Sequence, residues 1–179
     1  MVCPRLTIES IPYNSRLATL AKLLPSEQWD MLRHSVNRRA RYRCQICGHE
    51  RRMYCHEIWQ FNEKSGYQFL RGLKALCELC HGVKHLLFVR NDDVKVKMIK
   101  HFMTINRVTL QQAEKYLSSA YHRQRRLNQR EWIVNYGQYN WNIPATATVE
   151  QRRSYARFNH PSRHRTNNQF NQALSSYYT

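Results

Sequence analysis

Ala75-Leu76-Cys77-Glu78-Leu79-Cys80-His81-Gly82-Val83-Lys84-His85 holds one Cys-x-x-Cys knuckle, and Cys44-Gln45-Ile46-Cys47 upstream holds another. Two such knuckles supply four thiolates, and four soft ligands close a tetrahedral zinc shell with no position left for substrate. Cys44, Cys47, Cys77 and Cys80 therefore predict a structural Zn2+ that contributes folding free energy to a domain with little core of its own. Cys77 to His81 also fits the Cys-x-x-Cys-His haem-attachment pattern. That reading needs an oxidising compartment and leaves the first knuckle without a role. A thioredoxin-like redox pair would need a βαβ pattern around a knuckle, and neither has one.

The chain has 179 residues, enough for one ordinary domain with appendages. Its 29 Lys plus Arg against 12 Asp plus Glu give a formal net charge of +17. A surplus of that size points to a polyanionic partner, because cations that neutralise phosphates release condensed counterions. The bland alternative is a basic surface that is merely solvated. A peripheral membrane protein would need a long amphipathic basic helix with a Trp/Phe/Leu face, and none stands out. No apolar run reaches the length of a bilayer span, so no membrane partner is expected. Met1-Val2-Cys3-Pro4-Arg5 has no signal-peptide pattern, and the six cysteines suit a reducing, cytoplasmic setting.

Residues 1–25 read as an irregular lead-in, residues 26–90 as the zinc-stabilised core, residues 91–141 as a helical extension and residues 142–179 as a flexible basic tail. Within the core, Ser26 is placed to cap a helix running to about Arg41, with Trp29, Leu32 and Val36 on one side. Arg52–Trp59 and Tyr67–Leu76 have strand-like composition around the turn-prone Asn62-Glu63-Lys64-Ser65-Gly66. Helix is expected again from Glu78 to Phe88. Asn91 is placed to cap a further helix, and Thr109-Leu110-Gln111-Gln112 has the form of a capping box opening the next.

A plain zinc ribbon has no use for Cys55-His56-Glu57-Ile58-Trp59 on the first strand, nor for His81 and His85, which share a helix face four residues apart. A strand placing His56 and Glu57 beside that helix would build a second polar cluster next to the zinc. Taken together, the knuckles, the strand polar pair and the Leu-Cys-x-x-Cys-His helix start resemble the zinc-containing branch of the HNH endonucleases, over roughly residues 26–90. The resemblance implies an α+β fold: a small ββα-metal, treble-clef-type core with flanking helices.

It also implies a chemistry. In that family a strand residue and the helix histidine hold one divalent cation, Mg2+ or another, against the scissile phosphate. The neighbouring strand histidine is the general base toward water. By position, His81 is the helix ligand. In one register His56 is the strand ligand and Glu57 the base; in the other Cys55 is the ligand and His56 the base. The first is favoured, because an imidazole suits a hard or borderline cation better than a lone thiolate. Gly72 stands about where the family's middle Asn or His belongs. His85 has three open roles: phosphate contact, third cation ligand, or cap of the helix's last turn. Trp59 reads as packing, and His49 and Cys3 as non-ligands.

Arginines gather before the first knuckle (Arg33, Arg38, Arg39, Arg41, Arg43), just after it (Arg51, Arg52), near Arg123 and Arg126, and in the tail with Tyr155, Phe158 and Tyr177. Such groups usually position nucleic acid through its phosphates, and the aromatics suit unpaired bases. Two functions follow: a metal-dependent DNA endonuclease, or the same zinc fold serving as a nucleic-acid-binding module in a nucleoprotein assembly with its chemistry lost. Cutting both strands from a single centre would call for a homodimer or a larger complex.

Overall fold

A computed structural model describes residues 4–142 of the chain. In chain order these form α1 (Leu20–Leu23), α2 (Ser26–Arg39), β1 (Met53–Asn62), β2 (Tyr67–Cys77), α3 (Glu78–Lys84), α4 (Asp92–Asn106), α5 (Leu110–Leu127) and β3 (Ile133–Asn135). Short 3-10 turns lie at Tyr13–Leu17, Leu86–Phe88 and Gly137–Asn142. The architecture is α+β, with a three-stranded sheet in the order β1-β2-β3.

The β1–β2 hairpin closes where the sequence is most turn-prone. Asn62 Oδ1 accepts from the Lys64 and Ser65 amides at 3.1 and 3.2 Å, and Gly66 supplies the left-handed corner at φ +73°. The strands are antiparallel, with His56 opposite Lys74 and Ile58 opposite Gly72. Trp59 then pairs with Leu70, so Arg71 is the extra residue of a bulge. Strand β3 adds parallel to β2 over only three residue pairs. It lay outside the sequence expectation because Ile133-Val134-Asn135 is too short for a period-2 pattern.

Several element ends differ from expectation. Ser26 is the first residue of α2 rather than its cap, since extended Pro25 already occupies the capping position without a side-chain bond. Strand β1 continues to Asn62, beyond the expected Trp59. The helix after the second knuckle stops at Lys84 instead of Phe88; His85 leaves helical geometry and a 3-10 turn follows. The Asn91 cap and the Thr109 capping box are both made, the box reciprocally through Gln112.

Residues 4–12 behave as a strap across the helices. Leu6 and Ile8 are buried in the main core with Leu76, Val83, Phe102 and Ala113. Asn106 brackets Leu6, accepting from its amide at 3.0 Å and donating to its carbonyl at 2.9 Å. Ser10 Oγ donates to the Ala120 carbonyl at 2.8 Å, and Gln124 Nε2 donates to the Ile11 carbonyl at 2.7 Å. Two smaller clusters complete the interior. One gathers Leu20, Leu23, Leu24 and Leu70 with Tyr136 and Tyr139; the other gathers Ile11, Phe61, Leu127 and Trp132. Among the described residues, no helix is long and apolar enough to cross a membrane.

Candidate metal centre

The sequence places the two knuckles far apart, and Gln45 brings them together. Its amide donates to the Ala75 carbonyl at 3.0 Å, while its side-chain Oε1 accepts from the Ala75 amide at 2.9 Å. The first knuckle is thus fastened to the end of β2, just before Cys77. Gly48, left-handed at φ +79°, turns the knuckle so that its amide reaches the Cys44 carbonyl at 2.8 Å. Cys77 caps α3 and Cys80 lies in its first turn. The four Sγ atoms of Cys44, Cys47, Cys77 and Cys80 then lie within 4.8 Å of one another.

Four thiols so crowded cannot all ionise alone. A hydrogen bond from Cys80 holds Cys44 down at about 4, while burial pushes Cys77 up to about 11. Cys80 is driven up, first by its bond to Cys44 and then by burial. A dication bound by all four sulfurs would relieve this crowding. The donor set fits zinc. His101, on α4, lies 3.1 Å from Cys80 Sγ through Nε2, a contact the spacing of the knuckles gave no means to foresee.

A second cluster stands on the other side of α3. His56 from β1, His81 from α3 and His85 just past the end of α3 bring ring nitrogens within 4.8 Å of one another. Their ring centroids are 5.3 Å (His56–His81), 5.0 Å (His56–His85) and 4.7 Å (His81–His85) apart. Burial and the neighbouring His56 lower His81 to about 4, so it stays neutral and able to bind a metal at ordinary pH. Tyr54 stacks on His81 with centroids 5.2 Å apart and planes 9° from parallel, and the Arg52 guanidinium sits over Tyr54.

Glu9, from the N-terminal strap, completes this cluster and is the residue that sequence reasoning missed. Its Oε1 lies 3.0 Å from His56 Nε2 and 3.3 Å from Lys84 Nζ. The backbone sets it there, because the Glu9 amide donates to the Lys84 carbonyl at 3.0 Å. Burial works to raise the Glu9 carboxyl, but the bond with His56 and the charges of His56, Lys84 and His85 outweigh it and hold it low. Its Oε2 is buried and has no hydrogen-bond partner. An ionised carboxylate gripping a histidine ring is the usual outer support of a metal-binding imidazole.

Glu57 points from the opposite face of β1, as alternation along a strand requires. Its Oε1 accepts from the Leu20 amide at 2.6 Å, satisfying the open first turn of α1, and its Oε2 accepts from Trp59 Nε1 at 3.1 Å. Burial pushes its carboxyl up to about 7. Cys55 shares that face, and burial together with Glu57 drives its thiol up to about 12. The structure therefore brings His56, not Cys55, to the histidine cluster. A cavity of about 310 Å³ along this part of β1 is lined by His56, Glu57, His81, His85, Trp29 and Trp59, among others. At Gly72 a side chain would meet open space, so nothing there supports a base.

The arginines singled out by sequence, Arg38, Arg39, Arg41, Arg43, Arg51, Arg52, Arg123 and Arg126, are all exposed. Arg43 pairs with Glu50, and Arg126 grips Glu63 with two bonds of 2.8 and 3.1 Å. The arginines and aromatics of residues 143–179 lie outside the described residues, as does Cys3. No protein-family model, curated protein or solved structure matches the chain.

Proposed function

We propose that this chain is a metal-dependent endonuclease of the HNH kind, hydrolysing DNA phosphodiester bonds beside a structural zinc site. The observation that carries the reading is the convergence of His56, His81 and His85 on one strand–helix unit whose helix also supplies half of the cysteine site. A binding protein has no reason to gather three imidazoles beside a carboxylate.

His56, His81 and His85 would hold the catalytic cation. Three imidazoles favour a borderline ion such as nickel or zinc over magnesium, which prefers oxygen ligands. Bound there, the cation supplies charge neutralisation to the phosphate and acidifies water. Glu9 fixes the His56 ring, and Tyr54 fixes the His81 ring by stacking. Glu57, the base that the resemblance implies, lines the same cavity but projects from the opposite face of β1, where both its oxygens already accept hydrogen bonds, so activation of water would fall to the cation itself. The exposed arginines around the first knuckle supply phosphate contacts.

A second reading is a nucleic-acid-binding module that has lost the chemistry. It is favoured by the hydrogen bonds that occupy Glu57 and by the missing side chain at Gly72. Supercoiled plasmid incubated with magnesium, manganese or nickel separates the two. The native chain should nick it in a metal-dependent way and His81→Ala should not. A plasmid bound by both proteins and left intact under all three metals would leave only the binding module standing.

A further inference from the structure

We propose that the sheet face carrying Tyr67 and Phe69 is a track for an unpaired nucleic-acid strand, running toward the histidine cluster; its direction rests on the nuclease reading above. Tyr67, Phe69 and their β1 partners Asn62 and Gln60 project from the same face as His56, since residues two apart on a strand share a face. Gln68 and Leu70, between them, are buried on the other side. The Tyr67 and Phe69 rings stack, with centroids 5.6 Å apart and planes 21° from parallel. The Arg71 guanidinium stands 5.8 Å from the centre of the Phe69 ring.

Folding does not account for this arrangement. The chain has aromatic-lined interior clusters that take Phe61, Phe102 and Trp132, yet Tyr67 is left 36% exposed, and Ile133 beside it on β3 is 56% exposed. The polar neighbours of the rings in the sheet are the uncharged Gln60, Asn62 and Asn135 and the cationic Arg71, while Lys74 lies farther along β2, opposite His56. No acidic residue belongs to the described strands on this face. An aromatic pair with a guanidinium beside it, in a chain of net charge +17, matches a ligand that offers flat rings and phosphates together. Unpaired bases present their faces for stacking, whereas the bases of a duplex are already stacked on one another. Gln60, opposite Phe69, is four residues along β1 from His56, about 13 Å at ~3.3 Å per residue. A strand stacked on the rings would thus bring a phosphate a few nucleotides away to the cation site.

The test is fluorescence anisotropy with labelled oligothymidylate of about 12 nucleotides, a length in the range such tracks occupy, and with a duplex of equal length. The full chain is used with its zinc and without added divalent cation, so that nothing is cut. Tyr67→Ala/Phe69→Ala should weaken oligothymidylate binding about tenfold or more and leave duplex binding unchanged, while Tyr67→Phe/Phe69→Trp should bind as the native chain does. Arg71→Gln, a surface change that leaves the rings in place, should weaken the oligothymidylate alone. Zinc content and melting temperature verify folding of each variant. Equal losses on both ligands, or no loss on the single strand, overturn the track. So does a native dimer, seen by sedimentation, that the double alanine variant converts to monomer with its oligonucleotide affinity intact, which would mark the face as a contact between copies. Because binding is read without cleavage, a protein that binds through these rings and never cuts refutes the nuclease and leaves the track in place.

Discussion

Burial at Glu57 raises its carboxyl to about 7, against an ordinary value of 4.5, even though the Leu20 amide and the Trp59 indole both favour the ionised form. Between those two values the folded chain holds a proton that the unfolded chain has released. The contribution to stability is fully present below about pH 4.5 and is lost as pH rises through 7. The native melting temperature should therefore fall relative to Glu57→Gln between pH 5 and pH 8, by the equivalent of up to about 3 kcal/mol. A gap between the two proteins that stays constant with pH would contradict the assignment. At this scale His56, His81 and the four cysteines were legible in the sequence because their chemistry is written in local spacing. Glu9 was not: it meets His56 from 47 positions away, and a lone glutamate in a stretch of mixed composition carries no pattern.

The four cysteines draw the first knuckle, the end of β2 and α3 together. Cys47 is half-buried, and replacing it with serine keeps the shape of the knuckle while removing a soft ligand. Cys47→Ser should lose its equivalent of zinc and several kcal/mol of stability, on the order of what structural zinc supplies to small domains. Elemental analysis beside a thermal melt decides it, and full zinc occupancy in the variant would refute the four-cysteine site. Elements announced by their own end signals were readable in advance. Asn91 and Thr109 cap α4 and α5 as their side chains dictate, and Asn62 with Gly66 turns the hairpin. Elements whose limits are set by neighbours were not. Helix α3 stops at Lys84, where the chain turns to place Leu86 and Leu87 in the core, and β3 exists because it can add to the open edge of β2.

Across the whole molecule, the N-terminal strap joins what composition suggested were separate regions. Leu6 is fully buried among residues of β2, α3, α4 and α5. Leu6→Ala should cost about 2–5 kcal/mol, as cavity-forming changes in a packed core do, and lower the melting temperature accordingly. A loosely attached segment would shift it by no more than about 0.5 kcal/mol. Long-range packing of this kind leaves no trace in a local pattern, which is why residues 1–25 read as irregular. The strap also sets a schedule. The bonds that seat the neighbours of Glu9, Ser10 to Ala120 and Ile11 to Gln124, wait for residues made more than a hundred positions later. A nascent chain can bring its four cysteines together as soon as Cys80 emerges, but Ser10 and Ile11 gain these bonds only after α5 has docked. Synthesis therefore passes through a stage in which the cysteine site can assemble while the strap that carries Glu9 is not yet anchored to α5.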